Sequence, residues 1–140
     1  CDIFISAAAI SDYKPSGALT EKHKSSDGDL NIKLVRGEDI LKTAKLKNKN
    51  VFAVGFSAET KNIEENAKAK LVSKKIDMII ANEANHQKGL GFESDYNQIV
   101  IINESETTTI PRNSKKELAK IIIHKIVSIY KKNLLKIKNA

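Results

Sequence analysis

The sequence predicts an α/β fold with a mostly parallel sheet, flanking helices and an antiparallel hairpin at one edge. Two apolar runs, 51–56 and 77–81, have the length and composition of buried strands. Between them lies a segment of strong helix formers, with Ile63, Ala67 and Leu71 at helical spacing. Strand, helix and strand in this order form a βαβ unit, whose crossover connection makes the two strands parallel.

The chain before this unit is predicted to hold two more strands and a helix. Residues 2–9 are an apolar strand, and residues 30–35 alternate apolar and polar side chains as a half-exposed strand does. Residues 12–28 contain little to bury and are predicted to form a long loop, which is either a functional lid or a flexible insertion. A helix is predicted from Gly37 to about Lys47, with acidic residues in its first turn.

After the βαβ unit the sequence predicts a loop, a hairpin and a long helix. The loop covers 83–96, and two strands, 97–103 and 107–111, are joined by a short polar turn. Ser114 is predicted to cap the final helix. The apolar face of that helix carries Leu118, Ile121, Ile122 and Ile126.

Composition indicates one globular domain. The chain has 140 residues, of which 41% are hydrophobic and 29% charged, as in ordinary soluble domains. No apolar run approaches the roughly 20 residues that span a bilayer, so we expect no membrane contact. The single cysteine, Cys1, has no partner for an internal disulfide, which favours a reducing, cytoplasmic location.

The net charge of +7 is concentrated near the end of the chain. Residues 111–140 contain nine Lys and Arg residues against one acid, Glu117, so the remainder is close to neutral. One interpretation is a basic α/β module that binds nucleic acid through the Lys-rich final helix. We favour the other interpretation, a solvated helix face, and do not expect nucleic acid to be a partner.

Amines near one edge of the predicted sheet are the strongest chemical signal. The sequence contains no P-loop and no G-x-G-x-x-G motif. In open α/β sheets ligands bind beyond the carboxyl ends of the strands, here predicted at Gly55 and Asn82. Lys70 and Lys74 share one helical face nearby, which suits a triphosphate or, alternatively, a solvated surface. Gly55 permits close approach of a ligand, and Phe56 is either a base-stacking ring or plain core.

Several stretches resemble the phosphopantothenoylcysteine synthetase domain, the C-terminal half of a bacterial bifunctional decarboxylase/synthetase. In chain order these stretches are 7–15, 21–24, 55–60, 70–74, 81–82 and 91–97. The similarity is collinear to about Tyr130 and implies a Rossmann-like fold. It also implies a ligase of coenzyme A biosynthesis that uses CTP and Mg²⁺ to join 4′-phosphopantothenate to cysteine through an acyl-cytidylate.

The resemblance implies a nucleotide site on this chain. The positions that match it are Ala8, Asp12, Lys22, Asp39, Ile40, Phe56, Lys70 and Lys74. Asp39 and Ile40 match a stretch near the cytosine, although the two residues before them depart from the family's Asn-Pro. Phe56 matches a ring that packs on the nucleotide, and Lys70 and Lys74 match lysines that bind the triphosphate. The resemblance assigns no metal ligand.

Lys22 is the one residue to which the resemblance gives a catalytic role. It matches the lysine of a mobile flap, here about 12–28, which closes over the acyl-cytidylate and assists amide formation. A reactive mixed anhydride must be shielded from water, so a long loop at this place has a physical purpose.

The resemblance covers only part of the family's domain. The family's domain begins with a further half, which carries a Gly-rich nucleotide loop and much of a homodimer interface. We therefore expect residues 1–140 to be the carboxyl-side portion of one synthetase domain, without FMN and with little or no turnover alone.

Overall fold

The structure is a computed structural model, and it describes residues 1–17, 24, 28–83 and 94–138. These residues form a five-stranded sheet, a separate two-stranded ribbon and three helices. The strands are β1 (Ile3–Ser6), β2 (Tyr13–Pro15), β3 (Leu34–Arg36), β4 (Phe52–Glu59), β5 (Met78–Glu83), β6 (Tyr96–Asn103) and β7 (Thr107–Ser114). The helices are α1 (Ile40–Lys47), α2 (Ile63–Lys74) and α3 (Lys115–Lys138). No described helix is both long enough and apolar enough to cross a membrane.

The sheet has the strand order β1-β4-β5-β6-β7. β1, β4 and β5 are parallel, whereas β6 and β7 run antiparallel to their neighbours. The predicted βαβ unit is β4-α2-β5, in which Gly55 lies opposite Ile79 and Phe56 opposite Ile80. The predicted fold class, a mostly parallel sheet with an antiparallel edge hairpin, is confirmed.

Helices cover both faces of the sheet because the central strands are apolar on both sides. On one face, called here the α2 face, Leu41 of α1 and Leu71 of α2 pack in a cluster with Ala53. On the other, the α3 face, Leu118 and neighbouring residues of α3 pack against Phe52 and Val54. Successive residues of β4 therefore point to opposite faces, and this alternation decides which candidate residues meet.

β4 extends further than the sequence predicted. Its predicted end was residue 56, followed by a polar turn, but the strand continues to Glu59. Residues 57–59 pair in parallel with 81–83 of β5. The polar residues there remain in the strand because Ser57 and Glu59 find a partner in Lys70 of α2. The carboxyl edge of the sheet is thus three residues beyond its predicted place.

The segment between β1 and α1 contains a ribbon rather than a simple loop. β2 and β3 pair antiparallel, with Tyr13 opposite Arg36, and we call this pair the arm. Residues 13–15 were predicted as loop, and the strand predicted at 30–35 is confined to Leu34–Arg36 and lies outside the main sheet. All residues of both arm strands are exposed. The alternation at 30–35 marked one strand of this pair, but residues 13–15 bury nothing that would mark them as its partner.

The hairpin and the final helix are present as predicted, except that β7 continues three residues beyond its predicted end at 111. β6 and β7 pair over most of their length, and their turn is held by Asn103, whose side-chain oxygen accepts from the backbone N–H of Ser105 and Glu106. Ser114 Oγ accepts from the Glu117 N–H at 3.2 Å, so the predicted cap of α3 is confirmed.

Candidate functional site

Lys70 lies at the centre of a hydrogen-bond network at the carboxyl end of β4. Its Nζ donates to Glu59 Oε1 at 2.6 Å and to Ser57 Oγ at 2.8 Å. The Ser57 hydroxyl also bonds to Glu59 Oε1, and Asn66 Nδ2 donates to Glu59 Oε2 at 3.2 Å. The Glu59 side chain is only 12% exposed, whereas that of Lys70 is 44% exposed.

Strand and helix periodicities bring these groups together. Ser57 and Glu59 are two residues apart on β4, so both point to the α2 face. Asn66 and Lys70 are four residues apart on α2 and lie on adjacent turns. The site therefore depends on the packing of α2 over the end of β4.

Lys74, one turn further along α2, pairs with a different element. Its Nζ lies 2.8 Å from Asp39 Oδ2. Asp39 is the N-cap of α1, and its other oxygen accepts from the Lys42 N–H at 3.0 Å. Two of the predicted nucleotide-binding residues, Asp39 and Lys74, are thus in direct contact.

Both carboxylates are held in their charged form. Burial alone would raise the pKa of Glu59, but the hydrogen bonds from Lys70, Ser57 and Asn66 and the charge of Lys70 bring it below its ordinary value. Burial likewise opposes ionisation of Asp39, yet its pKa is lowered by the hydrogen bonds from Lys74 and Lys42 and by their charges. The α2 face at this edge consequently carries two lysine–carboxylate pairs.

Asp12 and Ile40 lie beside the second pair. The Asp12 carbonyl accepts from the Gly37 N–H at 2.8 Å, which fixes the start of the arm two residues from Asp39. Ile40 follows Asp39 and is 42% exposed. Ala8 is exposed in the connection after β1, where its carbonyl accepts from the Ile10 N–H.

Phe56 lies on the opposite face of the sheet from Lys70. Its neighbour Ser57 points to the α2 face, so Phe56 points to the α3 face. There it lines an apolar groove of about 410 Å³, together with Ile5, Ala7, Asn97, Ile99, Lys115, Leu118, Ala119, Ile122 and Ile123. The ring is 40% exposed, so it is not plain core. The predicted site residues are divided between two faces that meet only at the edge.

Gly55 has a different role from the predicted one. It lies inside β4 rather than at its end, and it is buried. A Cβ atom at this position would lie 2.6 Å from Leu41 Cδ2 and 3.1 Å from Ile76 Cδ1. The glycine therefore admits the side chain of α1, not a ligand, to the surface of the sheet.

Two predictions fall outside the described residues. Lys22, the predicted flap lysine, lies in 18–23, and part of the predicted loop lies in 84–93. Among the residues that the structure describes, no group of three or more His, Cys, Asp or Glu side chains is placed to hold a metal ion.

Three residues of the network were missed by the sequence reasoning. Ser57 and Glu59 were predicted to lie in a turn, and no role was predicted for Asn66. One signal was available: two polar residues two apart at the end of an apolar strand share one face. They therefore face the helix that follows.

The basic residues of α3 are partly engaged within the molecule. Lys125 Nζ lies 2.9 Å from Glu106 Oε1, and Lys120 Nζ lies 2.7 Å from Glu117 Oε1. The hydrogen bond from Lys125 is the main reason that the pKa of Glu106 is lowered. Arg112, just before α3, lies over the ring of Tyr96 at 5.3 Å.

A larger cavity, of about 760 Å³, lies at the other edge of the sheet. It is bounded by the end of α2, the β6–β7 turn and α3 near Ile129. None of the predicted site residues that the structure describes lines it. Size alone therefore does not identify the functional edge, and the lysine–carboxylate pairs are the better guide.

Comparison with known proteins agrees with this fold. The profile of the family described as DNA/pantothenate metabolism flavoprotein C-terminal domain matches residues 1–130. The coenzyme A biosynthesis bifunctional protein CoaBC of Haemophilus influenzae is 36% identical over 133 residues, 94% of this chain and 33% of that protein. The protein of the same name from Bacillus subtilis is 36% identical over 131 residues, 93% of this chain and 32% of that protein. The chain thus spans about a third of the length of these curated relatives.

Solved structures show the same similarity. The crystal structure of the C-terminal domain of a CoaBC protein superposes with a TM-score of 0.71 at 30% identity, over 94% of this chain and 56% of that one. The DNA/pantothenate metabolism flavoprotein from Streptococcus pneumoniae has a TM-score of 0.68 at 22% identity, over 91% of this chain and 63% of that one. The second likeness concerns the fold alone.

Proposed function

This chain belongs to the DNA/pantothenate metabolism flavoprotein C-terminal domain family, and on that premise we propose that it acts in coenzyme A biosynthesis as the carboxyl-side part of a phosphopantothenoylcysteine synthetase. The resemblance stated from the sequence is confirmed at the level of the family. The proposed reaction is a CTP-dependent ligation in which 4′-phosphopantothenate and cysteine form an amide.

The proposed reaction has two steps. A carboxylate oxygen of 4′-phosphopantothenate attacks the α-phosphorus of CTP, which forms an acyl-cytidylate and releases pyrophosphate. The cysteine amine then attacks the acyl carbon, which forms the amide, releases CMP and gives up a proton. The first step develops negative charge on the departing pyrophosphate, so it needs fixed cations there.

Lys70 and Lys74 are the observation that carries the proposal. Their amines lie one turn apart on α2, and each is held by a carboxylate at the carboxyl edge of the sheet. Ammonium groups in this position suit the β- and γ-phosphates of a nucleotide. Mg²⁺ enters the proposal as the counter-ion of CTP, since no described cluster would hold it.

The positions of the remaining candidates suggest how the nucleotide lies. The lysines, Asp39 and Ile40 are on the α2 face, and Phe56 is on the α3 face. We propose that CTP crosses the carboxyl end of β4, where α/β sheets bind ligands, with Phe56 packing from the far side. In this proposal Asp12 and Ala8 lie beside the nucleotide where it passes over the end of β4.

The arm supports the proposal that Lys22 belongs to a flap. Lys22 lies in the sequence between β2 and β3, the two strands of the arm. The Asp12–Gly37 hydrogen bond closes the base of the arm, and Gly37 lies two residues before Asp39. We propose that Lys22 closes over the acyl-cytidylate from this base, and that a homodimer of the complete protein is the active form.

Calorimetric titration of the chain with MgCTP and MgATP tests the proposal. We expect saturable binding that prefers CTP, and a loss of at least about tenfold in affinity for Lys70→Ala and for Phe56→Ala. Lys68→Ala is the matched control, because Lys68 is on the same helix but pairs only loosely with Glu64 at 3.7 Å. Absence of nucleotide binding, or an equal loss in the control, would contradict the nucleotide site.

A separate assay concerns turnover. We expect the isolated chain to form little or no amide from 4′-phosphopantothenate and cysteine, since it spans about a third of its relatives. Robust ligation would show that these residues suffice and would overturn that expectation.

A further inference from the structure

We propose that Glu59 is a positioning residue, which fixes the ammonium group of Lys70 for the triphosphate of the nucleotide. This inference deepens the proposed function and rests on it. Glu59 lies at the last position of β4 and bonds to Lys70 at 2.6 Å. Its place would be beside the phosphates rather than in contact with the reacting atoms.

The structure makes Glu59 the fixed member of the pair. Its side chain is only 12% exposed and receives hydrogen bonds from Ser57, Asn66 and Lys70. Lys70 is 44% exposed and comes from the surface of α2. A carboxylate that is only 12% exposed and accepts from three donors stays in place, so it anchors the amine and does not move aside for it.

Lys70 retains the capacity to bind a phosphate while it stays on Glu59. An ammonium group has three N–H donors. One donates to Glu59 and one to Ser57, which are both side chains of β4. The third donor is available for a phosphate oxygen, in a direction set by the first two. Positioning thus avoids the loss of side-chain freedom that an unanchored lysine would suffer on binding.

The direction of the effect separates positioning from simple electrostatics. A carboxylate near a triphosphate repels it, so removal of the charge should tighten binding if Glu59 does nothing else. If Glu59 positions Lys70, removal of the charge should weaken binding, because the amine loses its anchor. The two explanations predict opposite signs.

The experiment compares three variants by calorimetric titration with MgCTP. We expect Glu59→Gln to weaken binding about fivefold, because one charged hydrogen bond orients the amine. Asn66→Ala removes one donor to Glu59 without changing any charge and should weaken binding in the same direction by less. Glu64→Gln is the control, since it removes an exposed carboxylate from the same helix, and it should leave the affinity unchanged.

A spectroscopic measurement accompanies the titration. In the wild-type chain the ¹⁵Nζ resonance of Lys70 should show slow proton exchange and restricted motion, and both should be lost in Glu59→Gln. If Glu59→Gln does not fold, Asn66→Ala decides the matter, because its side chain is exposed.

The outcomes distinguish this inference from the function beneath it. If the wild-type chain binds no MgCTP, the proposed function fails, and the role of Glu59 fails with it. If the wild-type chain binds MgCTP but both Glu59→Gln and Asn66→Ala bind as tightly or more tightly, the inference alone is wrong.

Discussion

A single residue sets how closely α1 approaches the sheet. At Gly55 the missing side chain lets Leu41 of α1, only 7% exposed, lie directly on β4. The sequence predicted close approach of a ligand at this glycine, whereas the structure places the side chain of Leu41 there.

Gly55→Ala should therefore destabilise the fold by about 1–3 kcal/mol, because the added methyl group overlaps Leu41 Cδ2 and crowds Ile76. Gly17→Ala is the control, since a Cβ at Gly17 meets nothing within 4 Å, and it should change stability by less than about 0.5 kcal/mol. Urea unfolding followed by circular dichroism measures both. Equal stability of the two variants would contradict the packing role of Gly55.

The carboxylates of the site should make stability depend on pH. The pKa of Glu59 in the folded chain is below its ordinary value of 4.5, so the paired carboxylate stabilises the fold above that pH. This contribution is lost as the pH falls from about 4.5 through the lowered pKa. On acidification the free energy of unfolding of the wild-type chain should thus fall by about 1 kcal/mol more than that of Glu59→Gln. The difference is small because Lys70 is partly exposed to solvent. Urea unfolding at pH 6 and at about pH 3 tests this; parallel losses would count against it.

At the scale of elements, the sequence predicts what each segment does alone and misses what two segments do together. The apolar runs of β4 and β5 and the periodicity of α2 are local, and these elements were predicted. The pairing of the arm was not predicted, because β2 is exposed and unmarked in the sequence, and the strand predicted at 30–35 carries no information about its partner. The last residues of β4 were missed for a related reason, since their polar side chains are satisfied by α2 and not by solvent.

In the candidate site, too, the sequence predicted single residues but not their partners. Lys70 and Lys74 were found from their helical spacing, but their carboxylate partners come from β4 and from the cap of α1. The spacing within one helix carries no information about partners in other elements. Phe56 was predicted at the end of β4 but lies three residues before it, and the face to which it points depends on the register of β4.

Asp39 joins two elements, and its two roles can be separated. Asp39→Ala removes the cap of α1 and the ion pair with Lys74, and should lower the free energy of unfolding by about 1–2 kcal/mol. Asp39→Asn keeps a good capping side chain and loses only the charge. It should cost less than about 1 kcal/mol, because both members of the ion pair are partly exposed. Urea unfolding of both variants measures the difference. If Asp39→Asn cost as much as Asp39→Ala, the ion pair and not the cap would dominate.

At the scale of the molecule, the sheet holds the site residues in place and separates them onto its two faces. β4 is buried between two helical layers, so its carboxyl end is held rigidly against α2 on one face and near α3 on the other. A ligand that contacts Lys70 and Phe56 must pass over this end. The arm, by contrast, lies outside this sheet, and the Asp12–Gly37 hydrogen bond closes its base.

Amide hydrogen exchange should distinguish the buried central strand β5 from the exposed arm. Met78, Ile80 and Ala81 of β5 are 0% exposed, and β5 has a hydrogen-bonded strand on each side. Opening these amides requires disruption of both apolar clusters, so they should exchange only by near-global unfolding. The arm strands are exposed throughout and pair only with each other, so their amides should exchange by local opening, at least about a hundredfold faster. Mass spectrometry of peptides covering β5 and β3 measures both rates in one sample. Similar protection of the two would mean that the arm is packed against another surface in solution, and the proposal that a flap closes from this base would lose its mechanical support.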